Sequence, residues 1–142
     1  MKIAIAADHG GVELKDALVK KFSSLGITDL GTHGGESVDY PDYGAALARR
    51  VAAGEFDRGI LVCGSGIGIS IAANKIKGIR AALCHNAYTA EMARRHNDAN
   101  IIAMGGRVVD EATAIAMTEI FLNTEFEGGR HARRVEKISA LE

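Results

Sequence analysis

The chain has 142 residues, of which 47% are hydrophobic, 25% are charged and 5% are aromatic, and its formal net charge at pH 7 is −1. This length suits a single domain over residues 1–142 that buries a substantial hydrophobic core. The near-neutral charge provides no overall field for nucleic acid or an anionic membrane, and the scarcity of aromatic residues argues against a base-stacking surface, so we expect neither partner.

Short runs rich in β-branched residues alternate along the chain with amphipathic stretches, which is typical of βαβ units on a parallel sheet. Strands are predicted at 2–7, 27–30, 59–63, 79–84 and 101–104. Helices are predicted at about 14–25 and 41–54, from a glycine-rich turn to 75, at 86–95 and 110–121, and over a C-terminal segment near 135–141. We predict one doubly wound α/β domain, Rossmann-like or flavodoxin-like, with about five parallel strands and helices on both faces.

Asp8 interrupts the apolar run of the first predicted strand, and this run is too short for a signal-peptide core or a membrane span. Cys63 and Cys84 have no metal-ligand spacing, and two free thiols without an export signal are typical of a reducing compartment. We therefore expect a cytoplasmic protein, in which Cys84 is a packed thiol at a strand end.

Polar and reactive side chains follow four of the five predicted strands. They are Asp8 and His9 after the first, Cys63 to Gly66 after the third, Cys84 and His85 after the fourth, and Gly105 to Arg107 after the fifth. In doubly wound folds, ligands bind outside the carboxyl ends of the strands. Four such strand ends together favour a functional site at this edge.

The clearest single signal is the segment CGSGIGIS at 63–70. Glycines let a backbone turn so that several amides point inward, and the helix that follows adds its positive end, so the loop can bind an anion or an oxyanion that forms during a reaction. A cysteine beside such donors is favoured as a thiolate, which can act as a base or a nucleophile. The alternative is a tight strand-to-helix turn in which Cys63 is a small buried residue.

The spacing of residues in this loop excludes three known types of phosphate-binding loop. A dinucleotide-binding fingerprint needs Gly at the position of Ile69, and a nucleotide P-loop needs a Gly-Lys-Ser/Thr sequence that is absent. A cysteine phosphatase loop needs Arg where Ile69 again stands. The loop can therefore hold a small anion but lacks the parts for those reactions.

Basic residues are grouped near the C-terminus. Arg130 and Arg134 lie four apart and share one helix face, so the two can clamp a phosphate, whereas we expect Arg133 to be solvated. Cations in the first turn of a helix interact unfavourably with the helix dipole. Because such a placement is mildly destabilising, it favours a functional role for Arg130 and Arg134.

The five histidines give a weaker signal. We expect His33, His85 and His131 to be surface or capping residues. No two histidines have the spacing of metal ligands on one helix, and no carboxylate joins them to complete a ligand set. We predict no metal and no cofactor.

Seven segments, read in order along nearly the whole chain, resemble the ribose-5-phosphate isomerase B and galactose-6-phosphate isomerase family. They are ADHG at 7–10, DYPDY at 39–43, CGSGIGISIAANK at 63–75, GIRA at 78–81, HNDAN at 96–100, GRV at 106–108 and GGRH at 128–131. The resemblance implies an aldose–ketose isomerase that interconverts ribose 5-phosphate and ribulose 5-phosphate through an enediolate, without a cofactor.

The resemblance also implies a role for each site residue. Cys63 would be the base, and His96 would assist opening of the furanose ring. The oxyanion would be stabilised by the side chains of Ser65 and Asn97 and the loop amides, which are those of Gly64, Ser65, Gly66, Ile67 and Gly68. The phosphate would be held by His9, Arg107, Arg130 and Arg134, and the sugar hydroxyls would be contacted by Asp8 and Tyr40.

Sites of this family lie between two subunits. The resemblance therefore implies a homodimer, with pairing into tetramers left open, in which His96, Asn97 and Arg107 serve the partner's Cys63. The substrate partner implied is a small phosphosugar.

Ser65 stands where the family more often has Thr, which leaves more room near the reacting carbons. One alternative is therefore the same chemistry on allose 6-phosphate, galactose 6-phosphate or a tetrose phosphate, although a ring-opening His96 argues against the tetrose. Another alternative is a non-catalytic phosphosugar-binding module, which would need the arginines and the glycine loop but not Cys63 or His96.

Overall fold

The computed structural model describes residues 1–142. Its single sheet contains five strands: β1 (Ile3–Ala7), β2 (Thr28–Asp29), β3 (Arg58–Cys63), β4 (Ala81–Leu83) and β5 (Ile101–Gly105). All pairs are parallel and the strand order is β2-β1-β3-β5-β4, so β5 lies between β3 and β4. The predicted doubly wound α/β fold is confirmed.

The chain forms six α-helices: α1 (Val12–Lys21), α2 (Tyr40–Ala52), α3 (Ile67–Asn74), α4 (Ala87–Arg95), α5 (Glu111–Asn123) and α6 (Arg130–Ser139). One core layer lies between the sheet and α1, α4 and α5, and the other lies between the sheet and α2 and α3. The central strands are buried on both faces, which explains their continuous apolar runs. None of the helices is both long and apolar enough to cross a bilayer.

The predicted strand boundaries are wrong mainly in the two outermost strands of the sheet. The strands predicted at 27–30 and 79–84 shrink to Thr28–Asp29 and Ala81–Leu83. Both are edge strands with only one neighbour, so fewer backbone hydrogen bonds extend them. The helix predicted to reach 25 ends at Lys21, and a short 3-10 turn follows.

Two helices on one face of the sheet begin at side-chain caps. The side chain of Asn86 accepts a hydrogen bond from the Thr89 amide at 2.8 Å at the start of α4. Asp110 accepts one from the Thr113 amide, also at 2.8 Å, at the start of α5. Such caps satisfy amides that have no partner within the helix, and they fix where the loops after β4 and β5 end.

Candidate active site

The thiol of Cys63 lies at the carboxyl end of β3, where the glycine-rich loop folds back over it. Its Sγ accepts a hydrogen bond from the Gly66 amide at 3.1 Å. Gly66 has φ +78°, and a Cβ there would lie 2.7 Å from the Met104 carbonyl carbon, so only glycine fits. The loop therefore aims an amide at the sulfur, as the glycine pattern predicts.

Ser65 is exposed at the tip of this loop. Its hydroxyl oxygen accepts a hydrogen bond from the Ile67 amide at 3.2 Å, at the first turn of α3. The hydroxyl is thus held beside the amino-terminal end of that helix, where an anion is favoured.

Asp8 and His9 follow β1, the strand next to β3. The Asp8 carboxylate is buried and accepts a hydrogen bond from the Gly10 amide at 2.9 Å. A Cβ at Gly10 would lie 3.1 Å from the Gly64 nitrogen, so this turn packs directly on the Cys63 loop. The exposed ring of His9 accepts a hydrogen bond from the Val38 amide at 3.2 Å.

The ring of Tyr40 lies against the first turn of α3. A Cβ at Gly68 would lie 2.4 Å from Tyr40 Cε1, which shows how closely the ring approaches the backbone. Tyr40 begins α2 and is 40% exposed, so its hydroxyl is available to a ligand beside the loop.

Arg107 lies against the Cys63 loop of its own chain. Its amide donates a hydrogen bond to the Gly64 carbonyl at 3.0 Å, and a Cβ at Gly64 would lie 2.7 Å from the guanidinium Nη1. The expectation that Arg107 acts together with His96 on the partner's Cys63 is wrong in this respect. The reason is that β5 pairs with β3, which brings the turn after β5 to the thiol.

His96 and Asn97 lie in the loop between α4 and β5. The Arg80 guanidinium donates hydrogen bonds to the carbonyls of Asn97 at 3.0 Å and Asp98 at 2.9 Å. The His96 ring stacks on that of His131, with centroids 4.1 Å apart and planes 9° from parallel. The Arg80 hydrogen bonds fix the backbone of the loop, and the ring stacking holds the loop against α6.

Arg130 and Arg134 are exposed on α6, one turn apart on either side of the buried His131. The stacking of His131 on His96 brings this helix to the loop after α4. The two arginines thus belong with His96 and Asn97.

The predicted site residues therefore form two groups. The carboxyl-edge group contains Asp8, His9, Tyr40, Cys63–Gly68 and Arg107, and the amino-edge group contains His96, Asn97, Arg130 and Arg134. The Gly59 amide bonds to the Asn100 carbonyl at 2.9 Å, which puts the loop of the second group at the amino end of β3. Four strand residues advance roughly 13 Å, so the two groups lie at opposite edges of the sheet.

The second cysteine is a packing residue. Cys84 is 1% exposed, and burial raises the pKa of its thiol to about 11, although a contact with Thr89 opposes the shift. It stays protonated at neutral pH, as expected for a structural thiol.

One feature that sequence analysis missed is a histidine–carboxylate cluster. His96, Glu127 and His131 each offer a ligand atom, and these atoms lie within 4.8 Å of one another. His131, expected to be a surface or capping residue, is only 5% exposed. The only sequence signal is the spacing of four between Glu127 and His131, because His96 is 31 residues away from Glu127.

Comparison with known proteins gives a consistent result. Residues 3–138 match the Ribose/Galactose Isomerase family. The chain is 48% identical to ribose-5-phosphate isomerase B of Escherichia coli, over 99% of this chain and 96% of that protein. The solved structure of Clostridium thermocellum ribose-5-phosphate isomerase B is 55% identical with a TM-score of 0.97, and covers 99% of this chain and 97% of its own.

A further solved structure is that of Mycoplasma genitalium ribose-5-phosphate isomerase B with bound ribulose-5-phosphate. It is 39% identical with a TM-score of 0.94, over 99% of this chain and 95% of that chain. The likeness therefore extends over the whole fold.

Proposed function

We propose that this chain, which belongs to the ribose/galactose isomerase family, interconverts ribose 5-phosphate and ribulose 5-phosphate with Cys63 as the base. The chain is an aldose–ketose isomerase, in keeping with the relatives named above. The single observation that carries the role of Cys63 is its placement under the glycine loop, with the Gly66 amide 3.1 Å from its sulfur.

The proposed reaction moves one proton between two carbons. In the aldose-to-ketose direction, the Cys63 thiolate removes the proton from carbon 2, and negative charge develops on the oxygen at carbon 1. Loop amides, the Ser65 hydroxyl and Asn97 stabilise this enediolate. The thiol then returns the proton to carbon 1, while the hydroxyl proton of carbon 2 passes to the oxygen at carbon 1.

The remaining residues bind the substrate. His9 and Arg107 at the carboxyl edge, with Arg130 and Arg134, would hold the phosphate through charge-assisted hydrogen bonds. Asp8 and Tyr40 would contact sugar hydroxyls, and His96 would open the furanose ring. Each of these roles remains a proposal that rests on position and on the resemblance of the motifs.

We further propose a homodimer in which each site combines the carboxyl-edge group of one subunit with the amino-edge group of the other. The separation of the two groups supports this, because residues at opposite edges of one sheet cannot reach the same small sugar. Ile67 and Ile71 also support it, since they lie one turn apart on α3 beside the loop and are 51% and 55% exposed. An interface would cover that apolar face.

The proposed location is the cytoplasm. Cys63 and Cys84 are both free thiols, and unpaired cysteines persist in a reducing compartment.

A turnover assay tests the proposed reaction. Purified chain that has been treated with a chelator should convert ribose 5-phosphate to ribulose 5-phosphate with no metal or nucleotide added, since the loop amides already supply oxyanion stabilisation. Allose 6-phosphate and galactose 6-phosphate serve as comparison substrates, because Ser65 leaves room near the reacting carbons. Binding of ribose 5-phosphate without turnover would contradict the proposal.

A further inference from the structure

His131 carries an unusual buried atom. Its side chain is 7% exposed, and its Nε2 is buried without a hydrogen-bond partner. The nearest carboxylate oxygen, Glu127 Oε1, lies 3.6 Å away, which is beyond hydrogen-bonding distance. A buried polar atom without a partner costs free energy, and this nitrogen has no partner within the chain, so it is open to a ligand.

Two other donors lie beside that nitrogen. The His96 ring stacks on His131 at 4.1 Å, and the ligand atoms of His96, Glu127 and His131 lie within 4.8 Å of one another. Two imidazole nitrogens and one carboxylate oxygen form a donor set that Zn²⁺ uses when a fourth position stays open.

Small side-chain movements would complete the coordination. Ligand atoms bound at about 2.1 Å in a tetrahedral site lie roughly 3.4 Å apart, so donors that lie up to 4.8 Å apart need to close in by at most roughly 1.4 Å. The Glu127 side chain is 44% exposed and His96 is half-buried, so both can rotate toward the fixed ring of His131.

Some charged groups around the cluster favour the binding of a cation, and others oppose it. Burial, followed by the nearby His96, lowers the pKa of His131. Arg95 Nη2 holds Glu127 Oε2 at 3.1 Å and leaves Oε1 facing the ring. Arg130 and Arg134 oppose a cation, which indicates reversible binding rather than a permanent structural ion.

We propose that His96, Glu127 and His131 form a binding site for a divalent transition-metal cation such as Zn²⁺, and that occupation of this site withdraws His96 from the reaction. Binding depends only on the cluster, whereas inhibition rests on the proposed role of His96. The ion would be an inhibitor and not a cofactor of the isomerisation.

Calorimetric titration of the chelator-treated enzyme with Zn²⁺ alone tests the site. We expect one ion per chain, and we expect Glu127→Gln to weaken binding by about tenfold or more, because the substitution removes the only anionic ligand. Glu125→Gln is the matched control, since it makes the same substitution at an exposed position outside the cluster. Co²⁺ should give a tetrahedral absorption spectrum that Glu127→Gln loses and Glu125→Gln keeps.

A thiol is the main competing ligand, so Cys63→Ala is titrated as well and should still bind one Zn²⁺ per chain. The proposal is overturned if the wild type shows no saturable binding, if Glu127→Gln binds as tightly as the wild type, or if Cys63→Ala abolishes binding.

Turnover measurements then test the proposed inhibition through His96 separately from metal binding. Zn²⁺ should slow the wild type and Glu125→Gln, a chelator should restore both, and Glu127→Gln should resist inhibition. If calorimetry locates the ion at the cluster but turnover is unchanged, the metal site stands and the withdrawal of a catalytic His96 is refuted.

Discussion

The carboxyl-edge group continues directly from buried strands, whereas the amino-edge group is held by side-chain contacts between a loop and α6. Cys63 pairs with Gly105 in the ladder between β3 and β5, and the Asp8 amide donates a hydrogen bond to the Val62 carbonyl of β3 at 3.2 Å. Asn97 depends on the Arg80 guanidinium, and His96 on its stacking with His131. The first group is thus part of the sheet core, and the second can shift more readily when a side chain is changed.

This difference in how the two groups are held fits the proposal that one chain carries two half-sites with separate tasks. The carboxyl edge holds the proposed base and oxyanion loop, and the amino edge holds the proposed ring-opening histidine and phosphate clamp. If this division is correct, substitutions at the two edges should impair different steps.

The largest expected effect is at the thiol. Cys63→Ala should lower kcat by about 10³-fold, because loss of a general base removes most of the proton-transfer catalysis. Melting temperature should change little, since alanine retains the small buried side chain. Rate measurements at saturating ribose 5-phosphate, together with circular dichroism melting, check this.

Cys84→Ala is the matched control for the thiol. Burial raises the pKa of Cys84 to about 11, so this cysteine is protonated at neutral pH and should be dispensable for turnover. An essential Cys84 and a dispensable Cys63 would move the reaction away from the carboxyl edge and refute the assignment.

The next effect tests whether the two half-sites meet across subunits. Cys63→Ala and His96→Asn should each be nearly inactive on the ring-closed sugar phosphate, yet co-expression should restore activity. A mixed dimer carries both lesions at one site and neither at the other. Equal reassortment makes about half the dimers mixed, so about a quarter of all sites should be intact.

Mass spectrometry must first establish that mixed dimers form. The assay uses ring-closed substrate because an open-chain sugar bypasses His96. Mixed dimers with only single-mutant activity would show that the two edges do not share a site.

The carboxyl edge was largely predictable from sequence because parallel strands end together. Each polar residue at the end of a buried apolar run is thereby assigned to one edge, as with Asp8 just after β1 and Cys63 at the end of β3. The glycine spacing also predicted the turn at Gly66, whose left-handed backbone only glycine readily adopts. These inferences need only local pattern and the rules of sheet topology.

The amino edge was less predictable because its contacts are long-range and involve side chains. Nothing in the spacing of His96, Glu127 and His131 indicates that they meet, and the burial of His131 follows from the docking of α6. Arg107 was expected to act with His96 on the partner's Cys63, but the pairing of β5 with β3 brings it to the Cys63 loop of its own chain, and strand pairing of this kind cannot be read from the sequence.

A smaller effect is expected at the phosphate clamp. Arg134→Ala should raise KM for ribose 5-phosphate by about ten- to a hundredfold, because a lost charged contact commonly costs a few kcal/mol of binding. The melting temperature should stay nearly constant, since Arg134 is exposed. Steady-state kinetics and thermal melting of the same samples provide both values.

Arg133→Ala is the control for the clamp, since Arg133 is an exposed neighbour on α6 whose side chain points in a different direction. It should leave KM unchanged. If the two variants have equal KM values, Arg134 is a solvated surface residue of α6 and does not bind the phosphate.

The smallest expected effect concerns Tyr40 and uses two glycines on facing helices. Gly68→Ala would put a methyl group 2.4 Å from the Tyr40 ring, which is 40% exposed and can swing outward. Gly44→Ala would instead meet Ile69 Cγ1 at 3.0 Å and the Ile69 carbonyl oxygen at 3.2 Å, inside the contact between α2 and α3. Alanine favours a helix over glycine by about 1 kcal/mol in both cases, so the surroundings decide the outcome.

We therefore expect Gly68→Ala to leave the free energy of unfolding nearly unchanged and to raise KM by about three- to tenfold, or ~0.7–1.4 kcal/mol. Gly44→Ala should lower the free energy of unfolding by about 1–3 kcal/mol, as overpacking does, with a smaller change in KM. In a Tyr40→Ala background, Gly68→Ala should have no further effect on KM, because the ring that it displaces is gone. If Gly68→Ala still raises KM in that background, the methyl group acts on the loop amides directly, and Tyr40 loses its place as the sugar contact of the carboxyl edge.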